Sequence, residues 1–310
     1  FHFPKWETLP YEEDEPIAEI RAKQAEALHA LLAWKSGAPH AQSGQPPIVV
    51  APYDALLQKV VRPETFAARC VRLEWGQQID TGKLAHRLSE AGYDRTALVE
   101  SRGEFSIRGG IIDIYPIETE RPLRIDLFGD EIESVRWFDV HTQRSVEEVD
   151  MERPLTILPA RPRALLEEVL VSGSELAAFT DYLTDKTRAI LQGAENHAGA
   201  AERFHEIVAR EWEAANNERV AGHRRRDPDD PARLYLRPVE LQERLIAFQR
   251  LSTYFILPAE AEGASRLIEF DATSFEGVAP DVNHYIELLR ERQAADYFIN
   301  VVCDNAGQDL

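Results

Sequence analysis

The sequence predicts an α/β protein: a parallel α/β domain, split along the chain, that carries a smaller inserted mixed domain containing an antiparallel sheet. Three observations predict it. Helix-like and strand-like segments alternate over the first part of the chain. From Gly103 to Phe138 the pattern changes to strands that alternate apolar with polar residues, separated by glycine-containing turns. After Pro162 the helix and strand rhythm returns. Such a rhythm is the signature of a parallel sheet, and alternation with tight turns is that of antiparallel strands.

The elements follow in order. "IAEIRAKQAEALHALLAW", Ile17 to Trp34, has helical periodicity. "SGAPHAQSGQPP" is a loop by composition, and "IVVAP", Ile48 to Pro52, is a short apolar strand of the buried kind. "YDALLQKVV" reads as a helix. "CVRLEW" is a strand, and "IDTGKLAHRLSEAGYDR" is a helix with Asp80 or Thr81 as its cap and Gly92 as its stop. "TALVES" reads as a strand. In "GEFSIRGGIIDIYP", Phe105 and Ile107 face one way and Glu104, Ser106 and Arg108 the other, with Gly109 and Gly110 allowing a bulge or bend. "LRIDLF" and "EIESVRWF" flank Gly129-Asp130, a pair suited to a type II′ hairpin. Beyond "LPARP", "TRAILQ" is a strand and "AGAAERFHEIVAREWEAANNERVAG" a long polar helix. "HRRRDPDDPA" is a loop, and "LYL", "VELQERLIAFQ" and "STYFIL" continue the alternation. "SRLIEFDA" reads as a strand leaving the domain, and "VNHYIELLRERQ" with "YFINVVCDN" as the opening of a further α/β domain.

The 310 residues suggest about two domains, and 44% hydrophobic with 29% charged residues is ordinary for a globular chain. A formal net charge of −19 argues against broad attraction to a phosphate backbone. Cys70 and Cys303 make neither a metal-ligand spacing nor a disulfide framework. No apolar run approaches the ~20 residues of a membrane span, so a cytoplasmic location is the default expectation. The chain opens at "FHFPKWETLPY" without methionine and closes at "VVCDNAGQDL" in mid-pattern, which suggests an internal fragment.

Candidate chemistry is sparse. There is no GxxxxGK[ST] loop, no HxxxH, and no GxSxG elbow. Catalytic, cofactor and metal residues are therefore expected to be none. The carboxylate pairs Asp130/Glu131 and Glu147/Glu148 are open to acid–base work but read more simply as solvated surface. "HRRR", His223 to Arg226, lies against "DPDD", which cancels most of its field.

Phe128 is the residue out of place. Leu123, Ile125 and Leu127 share one face of a strand, and Arg124, Asp126 and Phe128 the other, so an aromatic sits on the charged face. It could tuck over the hairpin end or pack beneath the inserted helix. Arg124 lies four residues before it on the same face, however, and Arg108 can reach that face from a neighbouring strand. An aromatic bracketed by arginines has the composition of a protein-interface hot spot.

These same residues carry a resemblance. "FPKWETLPYE", "GEFSIRGGIIDIYP", "RIDLFGDEIESVRWFD", "TQRS" and "LPA", in this order, resemble the amino-terminal UvrB-like module of the bacterial transcription-repair coupling factors, the Mfd family. The likeness is specific from about residue 3 to residue 160 and thin beyond residue 270. UvrB shares part of the pattern but adds an ATPase P-loop and a tyrosine-rich, DNA-clamping hairpin. The resemblance implies a degenerate helicase-like (RecA-like) domain in two parts, 1–69 and 158–270. It places an inserted UvrA-binding domain at 70–157 and a linker with the truncated start of a third domain at 271–310. It implies a non-catalytic module that recruits UvrA to stalled RNA polymerase in nucleotide excision repair. The whole parent would be an ATP-dependent DNA translocase, with ATP and Mg used by motor domains that lie elsewhere. Its UvrA-contacting residues fall on Arg108, Arg124 and Phe128, the arginines pairing with carboxylates on UvrA and the phenylalanine supplying apolar area. Departures from the family pattern concentrate in Arg161 to Ser265. The rival readings are a UvrB-type ATPase that loads repair proteins on damage, and a stand-alone hydrolase using the hairpin carboxylates.

Overall fold

The computed structural model describes residues 1–8, 11–12, 14–37, 45–220, 229–254, 266, 268 and 282–294. It divides into two units, Phe1–Pro258 and Ala259–Leu310. "HRRR", "SRLIEFDA" for the most part, "YFINVVCDN" and Cys303 lie outside the described residues.

In the first unit, α1 (Ala18–Lys35) buries Ala22, Ala25, Leu28 and Leu31 at helical spacing. Its one buried polar side chain, Gln24, is satisfied: its oxygen accepts from Trp6 Nε1 at 2.7 Å and its nitrogen donates to the Pro4 carbonyl at 2.7 Å. The expected strand at Ile48–Pro52 is reduced to one parallel bridge, His2 to Val50. Val50 exchanges both backbone bonds with the chain start, and Ile48 and Val50 are exposed. Pro46, Pro47 and Pro52 bracket the segment and have no N–H to extend a ladder. The expected helix over Tyr53–Val61 is also replaced. A single 3-10 turn, Asp54–Leu57, precedes extended residues that bridge Gln58 to Tyr235 and Val60 to Ala177. The backbone bonds of Lys59 and Val60 thus go to distant chain segments, and α2 (Pro63–Arg69) starts only after them.

The middle of the chain is a six-stranded mixed sheet. Strand β1 (Val71–Leu73) precedes α3 (Thr81–Glu90), and the sheet then runs β2 (Asp94–Arg95), β3 (Glu104–Arg108), β4 (Ile111–Ile114), β5 (Leu123–Phe128), β6 (Glu131–Phe138) and β7 (Ser145–Glu148), in that spatial order. β2 is parallel to β3, and every later pairing is antiparallel. "TALVES" makes no strand. Thr96 N–H still bonds Phe105, and the chain then turns so that the Glu104 carboxylate accepts from Glu100 and Ser101 N–H. α3 packs on β2 and β3 through Leu84 and Leu88. Asp80 caps it by accepting from Lys83 N–H at 3.0 Å. Gly92, at φ +87°, ends it in a Schellman turn: Tyr93 N–H reaches the Leu88 carbonyl and Gly92 N–H that of Ser89.

β8 (Leu155–Ile157) returns antiparallel to β1, pairing Val71 with Ile157. Tyr93 Oη donates to the Leu158 carbonyl at 2.9 Å, and Ala160 N–H to that of Ala91 at 2.7 Å. These contacts lead into α4 (Pro162–Val171). β9 (Arg188–Leu191), α5 (His197–Val220), α6 (Pro231–Leu234), α7 (Pro238–Ile246) and β10 (Gln249–Ser252) complete the unit, with β9 and β10 parallel. Leu57, Ala178, Ala201, Leu236, Leu241 and Leu245 form a small core there. A larger core joins the apolar face of the sheet to α1, α2 and α4. The second unit contributes one described helix, α8 (Val282–Ala294).

Candidate functional site

The sheet has two unlike faces. Phe105, Ile112, Ile114, Leu123, Ile125 and Val135 are buried on one of them. Pairing places Ser106 beside Asp113, Asp113 beside Arg124, and Arg124 beside Arg136, on the other face. Along β5 that same face carries Asp126 and Phe128.

Phe128 ends β5 opposite Glu131 and is 78% exposed, at the mouth of the Gly129-Asp130 turn, where Gly129 has φ +63°. It packs neither over the hairpin end nor under α3. Gly109 and Gly110, read from sequence as a bulge or bend, form the turn between β3 and β4 instead. That turn lies at the same end of the sheet, because Leu127 N–H donates to the Gly110 carbonyl at 2.8 Å. Arg108, the last residue of β3, therefore stands at the same end of the sheet as Phe128, two strands away.

Both arginines converge on a carboxylate that the sequence reading passed over. Asp113 has no exposed surface. Arg124 Nε donates to its Oδ1 at 2.7 Å and Arg124 Nη2 to its Oδ2 at 3.0 Å, and Arg108 Nη2 donates to Oδ2 at 2.5 Å. Arg124 also donates from Nη1 to the Gln143 carbonyl at 2.9 Å and lies 4.7 Å over the Phe138 ring. Its hydrogen bonds to Asp113 hold its pKa above the ordinary arginine value. Gln143, at φ +57°, is held in the "TQRS" turn by Asp139, which accepts from Thr142, and by bonds from its own amide to Val99 and Val140. The arginines, expected to meet partner carboxylates, are therefore already engaged within the chain: the Arg124 side chain is 14% exposed and that of Arg108 44%. The signal that marked Asp113 is a lone carboxylate inside the apolar run "IIDI".

The carboxylates of the hydrolase reading do not converge. Glu131 accepts from Gln78, Glu147 pairs with Arg121 at 3.0 Å, and Glu148 lies 3.9 Å from Arg136. Within the α/β part, a cavity of about 40 Å³ lies among Phe3, Trp6, Leu28, Val60 and Phe66 and has no carboxylate in its lining. Among the described residues, no group of three or more His, Cys, Asp or Glu is placed to hold a metal ion. No described helix is long and apolar enough to cross a membrane.

The polar face of the sheet thus carries a solvated aromatic, Phe128, and a half-exposed arginine, Arg108, while the other face is core. Residues 71–162 match the family model described as the UvrB interaction domain. The chain is similar to curated transcription-repair-coupling factors, and the matches support their UvrB-like, amino-terminal module. It is 27% identical to the Haemophilus influenzae factor over 81% of this chain and 24% of that protein. It is 36% identical to the Bacillus subtilis factor over 58% of this chain and 15% of that protein. With the Escherichia coli factor it shares 34% over 50% of this chain and 12% of that protein. The chain thus spans a quarter or less of these relatives.

Proposed function

We propose that this chain is the part of a transcription-repair coupling factor that recruits UvrA, without catalysis of its own, during nucleotide excision repair in the cytoplasm. The exposure of Phe128 on the same polar face and at the same end of the sheet as Arg108 carries the reading. An apolar ring in water, on a face that also presents a cation, is the anchor of a protein interface. RNA polymerase and duplex DNA are partners of the whole protein, engaged through parts outside these residues, where ATP and Mg drive translocation. The flanking parts 1–69 and 158–270 form a degenerate helicase-like scaffold, 70–157 is the docking insert, and 271–310 leads toward the next domain. Titration of UvrA against the wild type and Phe128→Ala tests the docking role. The substitution should leave stability within about 0.5 kcal/mol and weaken binding about thirtyfold, as truncation of an aromatic hot spot does. Undiminished binding by Phe128→Ala sinks the proposal.

A further inference from the structure

We infer that the two arginines of the docking face divide the work: Arg108 meets the partner, and Arg124 with Asp113 positions it. The inference rests on the docking reading above and names the role of each charge in it. Arg124 has little left to offer a partner. Three of its nitrogens are spent on Asp113 and on the Gln143 carbonyl, its flat side lies over Phe138, and its side chain is 14% exposed. Arg108 spends one nitrogen on Asp113 and keeps 44% of its side chain in solvent, at the end of the sheet where Phe128 stands.

Asp113 connects the two. Its Oδ2 accepts from both guanidiniums, so the fork of Arg124 fixes the carboxylate and the carboxylate fixes the head of Arg108. An arginine held in this way has already lost the side-chain freedom that an interface would otherwise remove. Asp113 offsets one of its two guanidiniums and Asp126 offsets the neighbouring Arg136 at 3.3 Å, so the unbalanced positive charge of this group is presented by the exposed Arg108. The partner chemistry that fits is one carboxylate placed beside an apolar pocket for the phenyl ring.

The two arginines then act as a unit. UvrA binding kinetics across a salt series would be measured for the wild type, Arg108→Ala, Arg124→Ala, the double variant and Phe128→Ala, with thermal melts of each. Arg108→Ala should weaken binding about tenfold and flatten its salt dependence. Arg124→Ala should weaken binding when Arg108 is present, and change it by less than about twofold when Arg108 is already alanine. Arg124→Lys keeps a cation beside Asp113 and serves if Arg124→Ala melts early; it should behave in the same way. Independent losses that multiply in the double variant overturn the inference, because Arg124 then touches the partner itself. A second arm needs no partner: in the free protein, NMR of the guanidinium Nη groups should show hindered rotation for Arg108, lost in the Arg124 variants. Freely averaging Arg108 signals in the wild type overturn the positioning role while leaving the docking reading standing. Unchanged UvrA binding in both Phe128→Ala and Arg108→Ala overturns both.

Discussion

Glu118, in the loop between β4 and β5, should make the stability of this protein fall as pH rises. Its Oε1 accepts from Leu158 N–H at 3.1 Å, and its Oε2 is buried with no hydrogen-bond partner among the described residues. Burial pushes its carboxyl from 4.5 up to about 8, with Glu26 adding to the rise and its own backbone N–H, the Leu158 N–H and Arg102 opposing it. The folded state therefore keeps a proton that the unfolded chain releases near pH 4.5. Between these limits the unfolded state binds fewer protons, so stability declines with pH, by up to about 1.4 kcal/mol per unit. The decline starts near pH 4.5, ends near pH 8, and totals on the order of 3–5 kcal/mol. Glu118→Gln removes the titration while preserving an acceptor for Leu158. Urea unfolding from pH 5 to pH 9 would follow both proteins. The two should be close in stability at pH 5, and the variant should be the more stable by several kcal/mol at pH 9. Parallel stability curves would show that the Glu118 carboxyl is solvated in the folded state and that this account of the junction is wrong.

Four further outcomes follow from other parts of the fold and from the sequence. Gly92→Ala should cost about 2 kcal/mol or more, since φ is +87° and the new Cβ would sit 2.9 Å from Arg161 Cβ; chemical denaturation reads this directly. Ile125→Ala, fully buried at the centre of the sheet, should cost about 3 kcal/mol, and a loss under 1 kcal/mol would mean the core face is misassigned. With a net charge of −19, the chain should bind duplex DNA only weakly at physiological salt, and calorimetry with Mg-ATP should give no saturable heat.

The parts of the fold that were legible in sequence are those set by local chemistry. Leu123 and Ile125 alternate with Arg124 and Asp126, and the strand could have only one buried face. Asp80 and Gly92 bracket α3 because a side-chain acceptor and a left-handed residue are what helix ends require. Ile48–Pro52 misled because a short apolar run reads as a buried strand whether or not a partner strand lies on each side, and here pairing stops at His2. The "TALVES" segment failed for a related reason: after Thr96, the N–H groups of Glu100 and Ser101 are taken by the Glu104 side chain, a choice no periodicity records. At the site, the face of Phe128 followed from strand parity. The engagement of Arg108 and Arg124 did not, because it depends on the register that sets Asp113 between Ser106 and Arg124, and register is a property of three strands together.

The antiparallel pairing of Val71 with Ile157 has a consequence for how the chain assembles. Entry and exit of the sheet segment stand one strand spacing apart, about 5 Å. To the flanking α/β parts, a detour of some eighty residues is then topologically no longer than a hairpin turn. Closing a loop of that length in an unstructured chain would cost about 3 kcal/mol more than closing a two-residue turn. Once the sheet has formed, that entropy is already spent, and Phe3 and α1 can find α4 as if they were near neighbours in sequence.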